Sequence, residues 1–150
     1  MQYLFQQSMK LFIALCILFL STDGFAFAAT TITPGADWSG GSSGFGAGLS
    51  TDLASFGGAS VQSDAVILSS PHSTTFGLGA DAIVHPGRVF FGAGANVLFP
   101  TCAGCQTSFA PDVLVGTHLV GDLGVAARYY ISTRSENSGI FFAGLQIGLP

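Results

Sequence analysis

Large apolar residues alternate with small or polar residues along much of this chain, most clearly between Arg88 and Phe99. Successive side chains of a β-strand point to opposite faces, so a period of two predicts strands with two different faces. One face of this segment is apolar and the other is rich in glycine: Val89, Phe91, Ala93, Ala95, Val97 and Phe99 oppose Arg88, Phe90, Gly92, Gly94, Asn96 and Leu98. The pattern predicts an all-β fold.

Other segments continue the pattern. They are 43–53, 74–84, 108–119, 122–132 and 141–149, while 60–69 fits it less well and 29–33 is a short, weak eighth strand. Most of them exceed the usual strand of about five or six residues. They match the roughly 9–11 residues of a tilted strand that crosses a membrane.

The composition suits lipid better than water. Charged residues make up 8% of the chain, against about 25% in an ordinary soluble domain, and the mean hydropathy is +0.58. Beyond the first thirty residues the sequence has no apolar run of roughly 18 residues, the length of a membrane-spanning helix. A closed β-barrel is the other structure in which every backbone N–H and C=O group forms a hydrogen bond within the protein, as lipid requires. We therefore expect an antiparallel up-and-down membrane β-barrel of eight strands.

The net charge of -4 argues against a nucleic-acid partner.

Residues 1–28 have the organisation of a cleaved secretory signal peptide. Lys10 precedes the apolar run 11–20, and Ala26-Phe27-Ala28 is a small-residue cleavage site. Translation starts at Met1 or at Met9. The barrel domain is then 29–150, and its predicted location is the bacterial outer membrane.

The connections between the predicted strands alternate in length. His85-Pro86-Gly87 and Val120-Gly121-Asp122 are tight turns, and the longer loops are 34–42, 69–73, 100–107 and 133–137. Short turns on one side and longer loops on the other are typical of outer-membrane barrels. We expect the longer loops to face outside the cell, where they offer a surface for a ligand.

The mature sequence resembles the small eight-stranded outer-membrane β-barrel proteins of the OmpA and OmpX type, in architecture and in segments such as RVFFGAGANVLF and GIFFAGLQIGLP. The resemblance implies roles in envelope integrity, adhesion or lipid modification, with outer-membrane lipid and the barrel-assembly machinery as partners. Such proteins usually end in an aromatic residue that this machinery reads. This chain ends in Pro150, so we expect a degenerate assembly signal or a truncated chain.

Cys102-Ala103-Gly104-Cys105 is the most visible motif. In an oxidising compartment it predicts a structural disulfide. A redox centre and half of a metal site are the alternatives, although redox activity favours a cysteine at a helix N-terminus and zinc requires further ligands. We predict no metal and no cofactor.

Polar side chains on the predicted inner face form an interior network. Buried charges need partners, and eight strands leave room for little more than side chains. This network is predicted to plug the barrel, with an aspartate partner for each of two arginines; its members are Asp52, Asp64, Asp81, Arg88, Asp112, His118, Asp122 and Arg128. A polar channel or ligand site is the alternative.

Two other functions compete with a structural or envelope-interaction barrel. An exported soluble β-sandwich or open barrel would bury the apolar face and bind a partner or self-assemble. An envelope hydrolase would use His118 as a general base, with Ser108 or Ser132 as the nucleophile. We predict no catalytic residues and no enzyme.

Overall fold

A computed structural model describes residues 28–71, 73–133 and 139–149. The predicted signal peptide, apart from Ala28, and His72 lie outside the described residues. The described residues form eight strands: β1 Ala28–Ser39, β2 Ser42–Phe56, β3 Ala59–Ser70, β4 Ser73–Val84, β5 Val89–Pro100, β6 Ser108–Val120, β7 Leu123–Tyr130 and β8 Ile140–Leu149. Each strand pairs antiparallel with the next, and β8 pairs with β1, which closes the barrel. The predicted fold class is confirmed.

The two faces of the strands lie as the alternation predicts. On β5, Val89, Phe91, Val97 and Phe99 are exposed on the outside, whereas Phe90, Asn96 and Leu98 are buried inside. Strands β6, β7 and β8 show the same division. The apolar face is therefore the outer surface, and a sandwich or open barrel that buries this face is ruled out for the described chain.

Strand β1 differs from its prediction. It extends to Ser39, and a two-residue turn at Gly40 and Gly41 connects it to β2, so most of the predicted loop 34–42 is strand. Both glycines have positive φ angles, 56° and 82°, which allow a tight turn. Pro34, at which the predicted loop begins, lies within β1. It pairs with Ala47 of β2, and the register with β8 runs to Ile32 and resumes at Gly35.

The barrel has two distinct ends. Connections 57–58, 85–88 and 121–122 lie at one end with both chain termini of the barrel, and we call it the turn end. Connections 40–41, 71–72, 101–107 and 131–139 lie at the other, the loop end. The two longest connections are at the loop end, as the sequence predicts. The predicted loops 34–42 and 69–73 are wrong in length, because the flanking strands extend into them and leave the two-residue connections 40–41 and 71–72.

Inward-facing glycines make room for large neighbours. The register places Gly94 between Asp81 and Asp112, and Gly79 between Asp64 and Asn96. A Cβ atom on Gly94 would collide with the Asp81 carboxylate, and one on Gly79 would lie 2.5 Å from Asn96 Cγ. The glycine-rich face thus lets long side chains fill a narrow interior.

Candidate functional site

Arg128 lies at the centre of the barrel interior. It projects inward from β7, and its guanidinium pairs with three carboxylates from three other strands: Asp64 on β3, Asp81 on β4 and Asp112 on β6. The distance from Nη2 to Asp81 Oδ2 is 2.6 Å, and from Nε to Asp112 Oδ2 it is 3.4 Å. Nη1 donates a hydrogen bond to Asp64 Oδ2. We call these four residues the Arg128 cluster.

Neighbouring polar groups complete the cluster. Ser50 Oγ donates to Asp64 Oδ1 at 3.3 Å, and Asn96 Nδ2 donates to Asp112 Oδ1 at 3.3 Å. The Tyr130 ring lies 5.7 Å from Arg128 Cζ, close enough for a cation–π interaction. Asp81 Oδ1 is buried without a hydrogen bond. Three carboxylates thus share one guanidinium, and the cluster carries an excess of negative groups.

Apolar layers lie on both sides of the cluster. Toward the loop end these residues pack together: Val66, Leu68, Leu98, Ala110, Tyr130 and Phe142. Toward the turn end, Ile83, Phe90 and Leu114 form a second group. The Arg128 cluster is therefore held between two apolar layers. Such surroundings make each unpaired charge costly and fix the side chains in place.

A small cavity opens on the turn-end side of Arg128. Its volume is about 120 Å³, and its walls include Asp52, Gln62, His118 and Gln146. Gln62 Nε2 donates to Asp52 Oδ1 at 2.5 Å. Gln146 Oε1 is buried without a protein hydrogen bond. Polar walls and unpaired oxygens suit ordered water molecules.

Two histidines lie at the turn-end mouth of this cavity. The rings of His85 and His118 stack with centroids 6.3 Å apart, and the His118 ring lies 5.3 Å from the Phe90 ring. Ser60 Oγ is 3.2 Å from His85 Nε2. Ser108 and Ser132, the proposed nucleophiles for His118, instead line a cavity at the loop end. The structure therefore does not bring together the residues that the hydrolase alternative requires.

Other predicted network members lie away from the Arg128 cluster. Arg88 and Asp122 are exposed in the turn-end connections, because β5 begins at Val89 and β6 ends at Val120. The alternation that assigned them to the inner face continues past the strand ends into turns. Arg88 thus does not share the buried position of Arg128. Sequence reasoning also missed Asn96 and Tyr130 as cluster partners, although both stand on the predicted inner face.

A wider cavity occupies the loop end. Its volume is about 640 Å³, and its walls carry hydroxyl groups of Ser39, Ser73, Thr75 and Ser108. Cys102 and Cys105, which also line it, form a disulfide with a Cα–Cα distance of 5.3 Å. The disulfide closes a short turn within connection 101–107. The cavity is open, polar and uncharged along its described walls.

Aromatic side chains concentrate on the outer surface toward the loop end. Trp38 packs against Phe141 with ring centroids 5.6 Å apart, and Phe141 pairs with Tyr129 across β7 and β8. Phe45, Phe99 and Phe109 are also exposed on this surface. An aromatic girdle of this kind marks the membrane interface in outer-membrane barrels.

Comparisons with solved structures agree with this architecture. The chain is similar to the de novo designed protein TMB2.3, with a TM-score of 0.61 and 16% identity over 86% of this chain and 98% of the designed one. It is also similar to Neisserial surface protein A, with a TM-score of 0.51 and 18% identity over 79% of this chain and 94% of that protein. This chain has the fold of the small eight-stranded outer-membrane β-barrels. No protein-family model and no curated protein matches the sequence.

The chain combines the fold of a small eight-stranded barrel with an apolar outer surface. Within the ranges that the structure describes, no helix is long and apolar enough to cross a membrane. In the same ranges, no group of His, Cys, Asp or Glu side chains is arranged to hold a metal ion. The Arg128 cluster, the two cavities and the outer apolar surface are the features on which a function must rest.

Proposed function

We propose that this protein is an exported outer-membrane barrel that is closed to permeation and has a structural or surface-interaction role, without catalytic activity. The observation that carries the proposal is the Arg128 cluster. A buried guanidinium with three carboxylates, packed between apolar layers, fills the barrel where a pore would have to pass. Eight strands enclose little more space than their own side chains need.

The outer surface supports the membrane location. Each of the eight strands exposes at least one large apolar side chain, from Ile32 on β1 to Leu149 on β8. Soluble monomers rarely expose continuous apolar patches of this extent. In lipid the same surface requires no further partner, and the closed ladder leaves no strand edge unpaired.

The loop end supports a surface-interaction role. Its cavity of about 640 Å³ is within the usual range of ligand sites, about 300–1,000 Å³. In the proposed orientation, with both barrel termini on the periplasmic side, this cavity faces outside the cell. Hydroxyl-rich walls suit a neutral polar ligand.

Two experiments test the proposal. After expression with its predicted signal peptide, the protein should be recovered in the outer-membrane fraction, resist extraction by urea and migrate differently on gels with and without boiling. Recovery as a soluble periplasmic monomer would rule the proposal out.

Planar bilayers test whether the interior is closed. The wild-type barrel should give no steady conductance, because the Arg128 cluster and the apolar layers on both sides of it fill the interior. Stable open channels in the wild type would contradict a plugged interior.

A further inference from the structure

An apolar groove lies on the outer wall near the turn end. Its volume is about 380 Å³. Ala82 and Ala93 form part of its floor, and Phe56, Val84 and Phe91 stand around it. We call it the alanine groove.

The strand register explains the groove. Val61, Ala82 and Ala93 are neighbours in one row across β3, β4 and β5, and Ala80 and Ala95 are paired on the side away from the turns. Small side chains in adjacent rows leave a depression in the wall. Phe56 is 68% exposed and Phe91 is 48% exposed, so large aromatic side chains rise beside a shallow floor.

A cationic residue lies in the turn that connects two strands of the groove, β4 and β5. Arg88 is exposed in connection 85–88, three residues before Phe91, which corresponds to about 10 Å along an extended strand. Arg88 and Arg128 are the arginines within the described residues, which contain no lysine, and Arg128 is committed to the interior cluster. The turn that joins Val84 and Phe91, both of which line the groove, therefore carries an exposed positive charge.

We propose that the alanine groove binds an acyl chain of an anionic phospholipid whose phosphate pairs with Arg88. The guanidinium presents a planar set of donors that matches a phosphate group. Basic side chains near the membrane surface attract anionic lipid headgroups. This inference depends on the membrane location proposed above, and it adds a specific lipid site to that location.

A second copy of the chain fits the groove less well than lipid does. The residues that line the groove carry no carboxylate, so a symmetric contact through this face would bring no acidic partner to Arg88. The groove is also small for a protein interface, because ten residues line it, whereas each partner contributes about 20–30 residues to a stable interface. The charge and shape of the site favour a headgroup joined to an acyl chain.

Native mass spectrometry of the full barrel in detergent tests the site, with phosphatidylglycerol or phosphatidylcholine added as the probe. The wild type should retain phosphatidylglycerol in preference to phosphatidylcholine. Arg88→Gln should weaken phosphatidylglycerol binding by roughly fivefold, the equivalent of one basic residue near a charged surface. Ala93→Phe should fill the groove and reduce the binding of both lipids.

Ala127→Phe is the matched control, because Ala127 lies on the outer face of β7, away from the groove, and should leave lipid retention unchanged. Every variant is first checked for the heat-dependent gel shift of a folded barrel. Retention by Ala93→Phe at the wild-type level, or a dimer in place of a lipid adduct, would overturn the lipid site. A wild-type chain that never folds in detergent or vesicles would instead overturn the membrane location.

Discussion

Arg128 Nη2 and Asp81 Oδ2 lie 2.6 Å apart inside the barrel, although 47 residues separate them in the chain. The contact forms only when β4 and β7 face each other across a closed barrel. Asp64 and Asp112 reach the same guanidinium from β3 and β6. Barrel closure and charge pairing therefore depend on each other.

Removal of the central cation should strongly destabilise the barrel. Arg128→Met leaves three carboxylates buried without their partner, and breaking a buried pair in this way costs about 3–5 kcal/mol. Urea unfolding in lipid vesicles, followed by gel mobility, measures the loss. In vesicles of phosphatidylcholine alone, which offer Arg88 no anionic lipid, Arg88→Met is the matched control, because Arg88 is exposed and the change should stay within about 0.5 kcal/mol. Equal losses in the two variants would contradict the structural importance of the cluster.

Removal of one carboxylate should cost much less. Three carboxylates face one guanidinium, and Asp81 Oδ1 has no hydrogen bond. Asp81→Asn keeps an oxygen that can accept from Arg128 and reduces the negative excess, so the loss should be about 1 kcal/mol or less. The same urea titration measures it, with the exposed Asp122→Asn as control. A loss as large as that of Arg128→Met would show that the cluster needs all three charges.

The inward glycines should not tolerate a side chain. A Cβ on Gly94 would collide with the Asp81 carboxylate and lie 2.9 Å from Asp81 Cα. Gly94→Ala should therefore cost about 1–3 kcal/mol through overpacking. Ala95→Val adds volume to the adjacent outward position, and its unfolding midpoint should stay near that of the wild type. A larger loss of stability in Ala95→Val than in Gly94→Ala would indicate that Ala95 faces the interior and Gly94 faces outward.

The loop disulfide should contribute modestly to stability. Cys102 and Cys105 are three residues apart, and closing so short a loop contributes about 2 kcal/mol in the chain-entropy model. The double variant Cys102→Ser, Cys105→Ser should still fold and show the gel shift, with a lower urea midpoint. Reduction of the wild type with dithiothreitol should give a similar decrease, while the variant should not respond. Failure of the variant to fold would contradict a modest contribution and show that the barrel requires the disulfide for folding.

Strand positions and faces were predictable because both follow from local alternation. The inner and outer residues of β5 through β8 needed no knowledge of distant contacts. The extent of β1 was not predictable in the same way. Pro34 is a strand breaker by its local chemistry, and only the pairing of β1 with β2 and β8 retains it within a strand.

The sequence predicts a charged cluster inside the barrel, but it does not predict which carboxylates contact which arginine. Alternation assigns Asp64, Asp81 and Asp112 to the inner face, but the height of each residue depends on the strand register around the whole barrel. The same alternation placed Arg88 inside, since the sequence does not show where β5 begins. The alanine groove escaped prediction because it arises from three strands whose small residues align only in the folded register.

In the proposed membrane location, the alternating apolar face contacts lipid. Tryptophan quenching by brominated acyl chains tests it most directly, in a Trp38→Phe background that removes the native tryptophan. Val97→Trp places the reporter on the outer face, and Phe142→Trp places it inside, where Phe142 is 5% exposed. We expect strong quenching at position 97 and little at position 142. Strong quenching at position 142 with none at position 97, or no quenching at either in a folded protein, would contradict it.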